Sequence, residues 1–168
     1  MSSPSQAASQ AVRKLLREIG KQYDLTRGFK PFSDNKSKFD LILFFEYKCC
    51  YCNENLNNKQ WDKDHLVPMN KDHAGLHAWG NIALSCKQCN NQRQSLDWVD
   101  FLKIKSQSEE EFIARRSKIE RLIKKYNYCL SDDQKAHIQK QASELHTSVF
   151  SFVSEEIKTK LLEGIKIF

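Results

Sequence analysis

Two cysteine pairs, Cys49 with Cys52 and Cys86 with Cys89, enclose the stretch Asp64-His65-Leu66-Val67-Pro68, and Asn90 follows the last cysteine directly. The C-x-x-C spacing lets two thiolates reach one tetrahedral ion, and two such pairs complete a closed four-sulfur site of the structural zinc kind. The chain between the pairs is therefore tied at both ends. What it holds is an Asp-His dipeptide and an Asn, residue types that bind a hard cation and accept a proton. Zinc on four sulfurs keeps no open position for a substrate, so chemistry is expected from the enclosed residues and not from the sulfurs.

A chain of 168 residues suffices for one domain with a real core and is short for two. Its formal charge of +6 and pI near 9.0 suit a polyanionic partner, nucleic acid before an acidic membrane surface. Six cysteines could form a disulfide set. The start Met1-Ser2-Ser3-Pro4-Ser5-Gln6, however, has neither the basic residues nor the apolar run of a signal peptide. An intracellular, cytoplasmic location is the expectation, and in a reducing compartment paired C-x-x-C motifs more often bind metal. The longest apolar run, Leu41-Ile42-Leu43-Phe44-Phe45, is too short to cross a bilayer, so no membrane partner is expected.

The pattern divides the chain into four parts. Residues 1–9, small and polar, predict a flexible arm. Residues 10–47 form an N-terminal helical segment. Val12, Leu15, Leu16 and Ile19 recur at helical spacing over 10–21, and Gly20 or Gly28 can end that helix. A polar linker, Ser33-Asp34-Asn35-Lys36-Ser37, leads to a second helix over 39–47, with Phe39, Ile42, Leu43 and Tyr47 on one face. Residues 48–102 are the compact centre, with strands over 63–69 and 81–85, a loop over 70–80 and a helix starting at Cys86. Residues 103–168 turn helical. Ser106 or Ser108 can cap a helix that opens on Glu109, Glu110 and Glu111 and closes on Arg121, Lys124 and Lys125, as the helix dipole favours. Ser131 and Gln134 have capping-box spacing, and Phe150, Val153, Ile157, Leu161 and Ile165 make an apolar C-terminal stripe. The whole predicts one compact α+β domain.

At the centre the residues become specific. Cys49-Cys50-Tyr51-Cys52, Asp64-His65-Leu66-Val67-Pro68, Trp79-Gly80-Asn81 and Cys86-Lys87-Gln88-Cys89-Asn90-Asn91-Gln92-Arg93 follow one another in an order and spacing that resembles the HNH endonuclease family in its zinc-bound, four-cysteine form. The resemblance covers roughly residues 46–100. It implies a small ββα-metal core, a hairpin and a helix around one divalent cation, flanked here by N- and C-terminal helices. It further implies hydrolysis of phosphodiester bonds, usually in DNA, to 5′-phosphate and 3′-hydroxyl ends. Position by position, it makes His65 the general base, Asp64 a ligand of the catalytic ion and Asn81 the middle letter that orients the hairpin. Asn90 stands where many members carry a final His and becomes the second protein ligand, so the chain is an H-N-N variant. Arg93, one helical turn beyond Asn90, takes the place of a basic residue that contacts phosphate.

The chemistry can also be argued from the side chains alone. A carboxylate and an amide carbonyl are hard oxygen ligands, and two of them leave most of the shell to water and phosphate, the way Mg²⁺ is usually held. Mn²⁺ would serve the same donors. A histidine with an ordinary pKa of about 6.5 is available near neutral pH to take a proton from an attacking water.

Plainer readings stand beside these. For His73 and His77 the commoner outcome is an exposed loop histidine, and for Cys129 a buried thiol. Cys50 could replace Cys49 in a C-x-C register, although C-x-x-C matches the second pair better. Arg93, Arg115, Arg116 and Lys118 are the candidate nucleic-acid contacts, against the alternative of a solvated helix face. The C-terminal stripe is core or the seam of a homodimer. Two function classes remain. One is a metal-dependent DNA endonuclease, either a restriction endonuclease or a phage or mobile-element nicking enzyme. The other is a zinc-stabilised nucleic-acid-binding module without turnover. Asp64, His65 and Asn90 together favour the enzyme, because binding alone requires none of them.

Overall fold

The computed structural model describes residues 3–33 and 37–162. Among them the helices are α1 (Pro4–Thr26), α2 (Lys38–Phe44), α3 (Lys87–Arg93), α4 (Trp98–Lys105), α5 (Glu109–Lys125) and α6 (Asp132–Leu162). Strands β1 (Trp61–His65) and β2 (Ile82–Cys86) pair antiparallel, with Trp61 opposite Cys86 and His65 opposite Ile82. The architecture is α+β, a small hairpin wrapped by helices.

The helix predicted over 10–21 is longer at both ends. Ser3 Oγ accepts from the Gln6 amide (3.2 Å), Gln6 Oε1 accepts from the Ser3 amide (3.0 Å), and Pro4 supplies the first turn with a preset φ. Residues 4–9, predicted as part of a flexible arm, are thus helical, and Ala8 is fully buried. Gly20 does not end α1. A Cβ there would lie 2.6 Å from the His77 carbonyl oxygen, so glycine lets the 74–80 loop rest on the helix backbone. Val12 and Leu16 pack with Leu76, Ala78, Ile138 and Ala142, which seats that loop between α1 and α6.

A second core surrounds the hairpin. Ile82 and Leu84 of β2 pack with Leu41 and Phe45 around α2, Phe101 and Leu102 of α4, and Ile119 and Leu122 of α5. The two cores are pinned together by Asp24. Its fully buried carboxylate pairs with Arg27 (2.5 Å) and accepts from the backbone amides of Phe32 (2.8 Å) and Trp79 (3.1 Å). Burial pushes this carboxyl up, while the Phe32 amide, Arg27 and the Trp79 amide pull it down.

Other boundaries shift for local reasons. α2 stops at Phe44 because Glu46 and Tyr47 turn into the left-handed region (φ 53° and 59°). Its buried side is Leu41 and Phe45, whereas Phe39, Leu43 and Tyr47, predicted on a shared packing face, are exposed. Ser108, not Ser106, caps α5 by accepting from the Glu111 amide, and Ser131 with Gln134 closes the box that opens α6. Cys129, predicted as a buried thiol, is exposed, because its backbone rather than its sulfur is held, by exchange of hydrogen bonds with the Tyr23 hydroxyl. Along the C-terminal stripe Phe150 is exposed and Val153 and Ile157 are half-buried, while Ile165 and the Leu161 side chain lie outside the described residues. Among the described residues no helix is long and apolar enough to cross a membrane.

Candidate active site

The hairpin has two unlike ends. At the first, β2 delivers Cys86 and the opening turn of α3 delivers Cys89, whose amide donates to Cys86 Sγ (3.3 Å). The turn after α2 supplies Cys49 and Cys52, shaped by the Asn53 amide bonding the Cys49 carbonyl (3.0 Å) with Asn53 at φ 61°. The four Sγ atoms lie within 4.8 Å of one another, and Cys52 and Cys86 are 3.8 Å apart. Four sulfurs about 2.3 Å from a tetrahedral zinc would be separated by about 3.8 Å, so the cluster fits that ion. Cys50 lies outside the four-sulfur group, which settles the register as C-x-x-C. Crowding among the sulfurs is felt in their acidity. Hydrogen bonds from Cys50, Cys52 and Cys89 hold the Cys49 thiol far below its ordinary range, burial pushes Cys86 up to about 12, and hydrogen bonding to Cys49 raises Cys89.

At the other end β1 finishes on Asp64 and His65, and the chain crosses to Asn81 at the start of β2. Asn81 is fully buried. Its Oδ1 accepts from the Val67 amide (2.8 Å) and its Nδ2 donates to the carbonyls of Leu76 (2.8 Å) and Val67 (3.1 Å), fastening both ends of the 66–80 loop. Beside this end opens a cleft of about 620 Å³ lined by Asp64, His65 and Asn90, with Arg13 and Arg17 from α1 and Lys63 from β1. Lys63 also borders a second cleft of about 500 Å³, where Lys38, Lys59 and Lys87 surround Trp61. Lys63 is thus common to the linings of both clefts.

Residues 49–96 match the family model for HNH endonuclease. That match takes in both cysteine pairs, the hairpin and α3, and leaves α1 and the helices after α3 outside it. No curated protein and no solved structure matches the chain. The similarity of this segment to HNH endonucleases suggests a nuclease or nucleic-acid-binding role.

Within the HNH segment the side chains can be tested against a hard cation. Asp64 is 5 % exposed. Its Oδ2 accepts from the Tyr51 hydroxyl, which burial holds protonated far above the ordinary phenol range, and its Oδ1 accepts from Arg93 Nη2 (2.9 Å). Two hydrogen bonds leave a carboxylate with lone pairs to spare. Asn90 Nδ2 donates to Asp62 Oδ2 (3.1 Å), an orientation that commits the amide nitrogen to Asp62, so that the carbonyl is the atom that could hold a cation. One carboxylate and one carbonyl on the wall of an open cleft fit a hydrated divalent ion that completes its shell with water and phosphate.

The structure bears on three readings of single residues. Arg93, predicted as a phosphate contact, is among the residues that line the cleft but is 1 % exposed, with its guanidinium held by the fold. Its guanidinium also reaches the carbonyls of His65 and Leu96, and its Nε sits 2.7 Å from Asp64 Oδ2 as an ion pair whose N–H is not aimed at the oxygen. A buried carboxylate needs a partner, and α3 supplies it. The three α5 cations are likewise committed: Arg115 to the carbonyls of Tyr51 and Lys105, Arg116 to Glu120, Lys118 to Glu46. None of these three lines the cleft, where the cations are Arg13, Arg17, Lys63 and the buried Arg93. His73 is exposed, with its ring on Asn70 Oδ1 (3.0 Å), but His77 is fully buried beside His65. A signal for His77 was present in the sequence: Ala74, Gly75, Ala78 and Gly80 around it mark a loop that packs closely. Arg17 carried none, because it reaches the site from α1.

Proposed function

We propose that the chain is a divalent-metal-dependent endonuclease that hydrolyses DNA phosphodiester bonds. The reading is carried by the meeting of His65, Asp64 and Asn90 on one cleft whose walls hold Arg13, Arg17 and Lys63. A divalent ion on Asp64 and the Asn90 carbonyl would polarise the scissile phosphate and stabilise charge on the leaving oxygen. His65 takes a proton from the attacking water, the new bond forms at phosphorus, and the bond to O3′ breaks with the leaving oxygen taking a proton from solvent, to give 5′-phosphate and 3′-hydroxyl ends. Tyr51 and Arg93 hold Asp64 beside the base. In this reading the nuclease core spans residues 48–102, flanked in sequence by residues 10–47 and 103–168. A restriction endonuclease is the role we assign within this class.

Purified protein should nick or linearise plasmid with Mg²⁺ or Mn²⁺, and its mild removal should stop cleavage while the circular dichroism spectrum stays unchanged. Sequencing the cut ends reads target, stagger and strand choice together. Recurrent double-strand ends at one short sequence support a restriction role, and single-strand ends support a nicking enzyme. Wild-type protein that binds duplex and branched DNA but cuts neither would be a zinc-stabilised binding module instead.

A further inference from the structure

Behind His65 lies a second imidazole that the hydrolytic reading leaves without a task. His77 is 2 % exposed, stands edge-on to the Phe32 ring, and has its Nδ1 3.0 Å from His65 Nε2. Its Nε2 lies 2.9 Å from Nη1 of Arg17. A guanidinium can only donate, so this contact fixes the hydrogens on both rings. His77 Nε2 accepts from Arg17, neutral His77 carries its hydrogen at Nδ1 and donates to His65 Nε2, and neutral His65 carries its own at Nδ1. In that order His65 offers no basic nitrogen, since one accepts a hydrogen bond and the other bears the hydrogen.

The reversed order places the lone pair at His65 Nδ1. Three hydrogens move with no net change: His65 Nδ1 gives one to solvent, the shared hydrogen passes from His77 Nδ1 to His65 Nε2, and His77 Nε2 takes one from solvent. Reversal requires Arg17 to leave His77 Nε2, and the cleft supplies a reason. Arg17 lines it together with Arg13, one helical turn earlier on α1. A phosphate oxygen is a stronger acceptor for a guanidinium than a neutral imidazole. Gly20 keeps the backbone of His77 against α1 throughout, so the guanidinium can move while the ring stays.

We propose that Arg17 and His77 form a phosphate-responsive relay behind His65, in which Arg17 holds the imidazole pair in a resting order and a substrate phosphate that draws Arg17 away releases it. The proposal rests on His65 being the base. His77 is then a positioning residue, and the relay couples DNA binding to readiness for the proton transfer.

The test combines single-turnover plasmid cleavage and DNA affinity at one pH with nitrogen-15 spectra of the histidine rings. In the free protein His77 Nε2 should be the hydrogen-free nitrogen, and either duplex DNA added without Mg²⁺ or Arg17→Ala should move the hydrogen onto it. His77→Ala should lower the saturating rate about tenfold or more with DNA affinity nearly unchanged. His77→Asn, whose amide can donate or accept toward His65, should recover most of that loss. If His77→Ala does not fold, the asparagine variant and the spectra carry the test. A hydrogen on Nε2 of His77 in the free protein overturns the proposal. So do wild-type rates in both His77 variants while His65→Ala is dead. Cleavage by His65→Ala would instead remove the base assignment, and spectra that stay fixed on adding DNA would then remove the relay as well.

Discussion

The two ends of the hairpin are built on opposite plans. The sulfur end is assembled from residues at fixed short spacings, Cys49 with Cys52 and Cys86 with Cys89, whose sulfurs lie within 4.8 Å of one another. The cleft end starts from an equally local motif, Asp64-His65, but is completed by residues from afar: Tyr51 and Arg93 on Asp64, His77 on His65, and Arg17 behind His77. A spacing rule can specify a closed scaffold. A site that must hold a base, a cation and a phosphate draws on several elements, and its geometry depends on how the helical frame packs.

The sharpest way to break this contrast is to remove the scaffold. Cys86→Ser, or strong chelation, should abolish the cooperative unfolding transition seen by circular dichroism, since structural zinc in small sites contributes on the order of 10 kcal/mol. A well-folded Cys86→Ser protein would show that the helices alone carry the centre. Next in size is Asp24→Ala, which leaves Arg27 and two backbone amides without their buried acceptor. Urea denaturation should show a loss of about 3–5 kcal/mol. A neutral result would mean that the helical frame is not what holds the loop of His77 in place. Ser108→Ala removes the α5 cap far from both ends and should cost about 1 kcal/mol with cleavage unaltered. The smallest effect belongs to Arg116→Ala, an exposed pair with Glu120, which should shift stability by less than about 0.5 kcal/mol and leave DNA affinity unchanged. A clear loss of DNA affinity there would return α5 to the binding surface.

The same contrast explains what could be read in advance. The hairpin, the four sulfurs, the Ser131 box and the Asp64-His65 motif announce themselves through spacing, capping chemistry or alternation, all properties of neighbouring residues. Arg93 has the register of a phosphate contact on α3, but the direction of its side chain is set by the buried Asp64 carboxylate across the hairpin, which no spacing encodes. Residues 4–9 looked too polar for structure, yet Ser3, Pro4 and Gln6 carry a complete helix start. His77 and Arg17 lie 60 residues apart, and no local pattern joins them. Their meeting depends on Gly20 admitting the loop against α1, a fact of packing that periodicity does not encode.

The central claim is that the sulfur end holds and the cleft end cuts. His65→Ala tests it most directly, with plasmid cleavage in Mg²⁺, zinc content and circular dichroism measured on the same preparation. Full zinc content, an unchanged spectrum and cleavage reduced by about 100-fold or more are expected. Cleavage at the wild-type rate by a zinc-loaded, folded His65→Ala protein would contradict it.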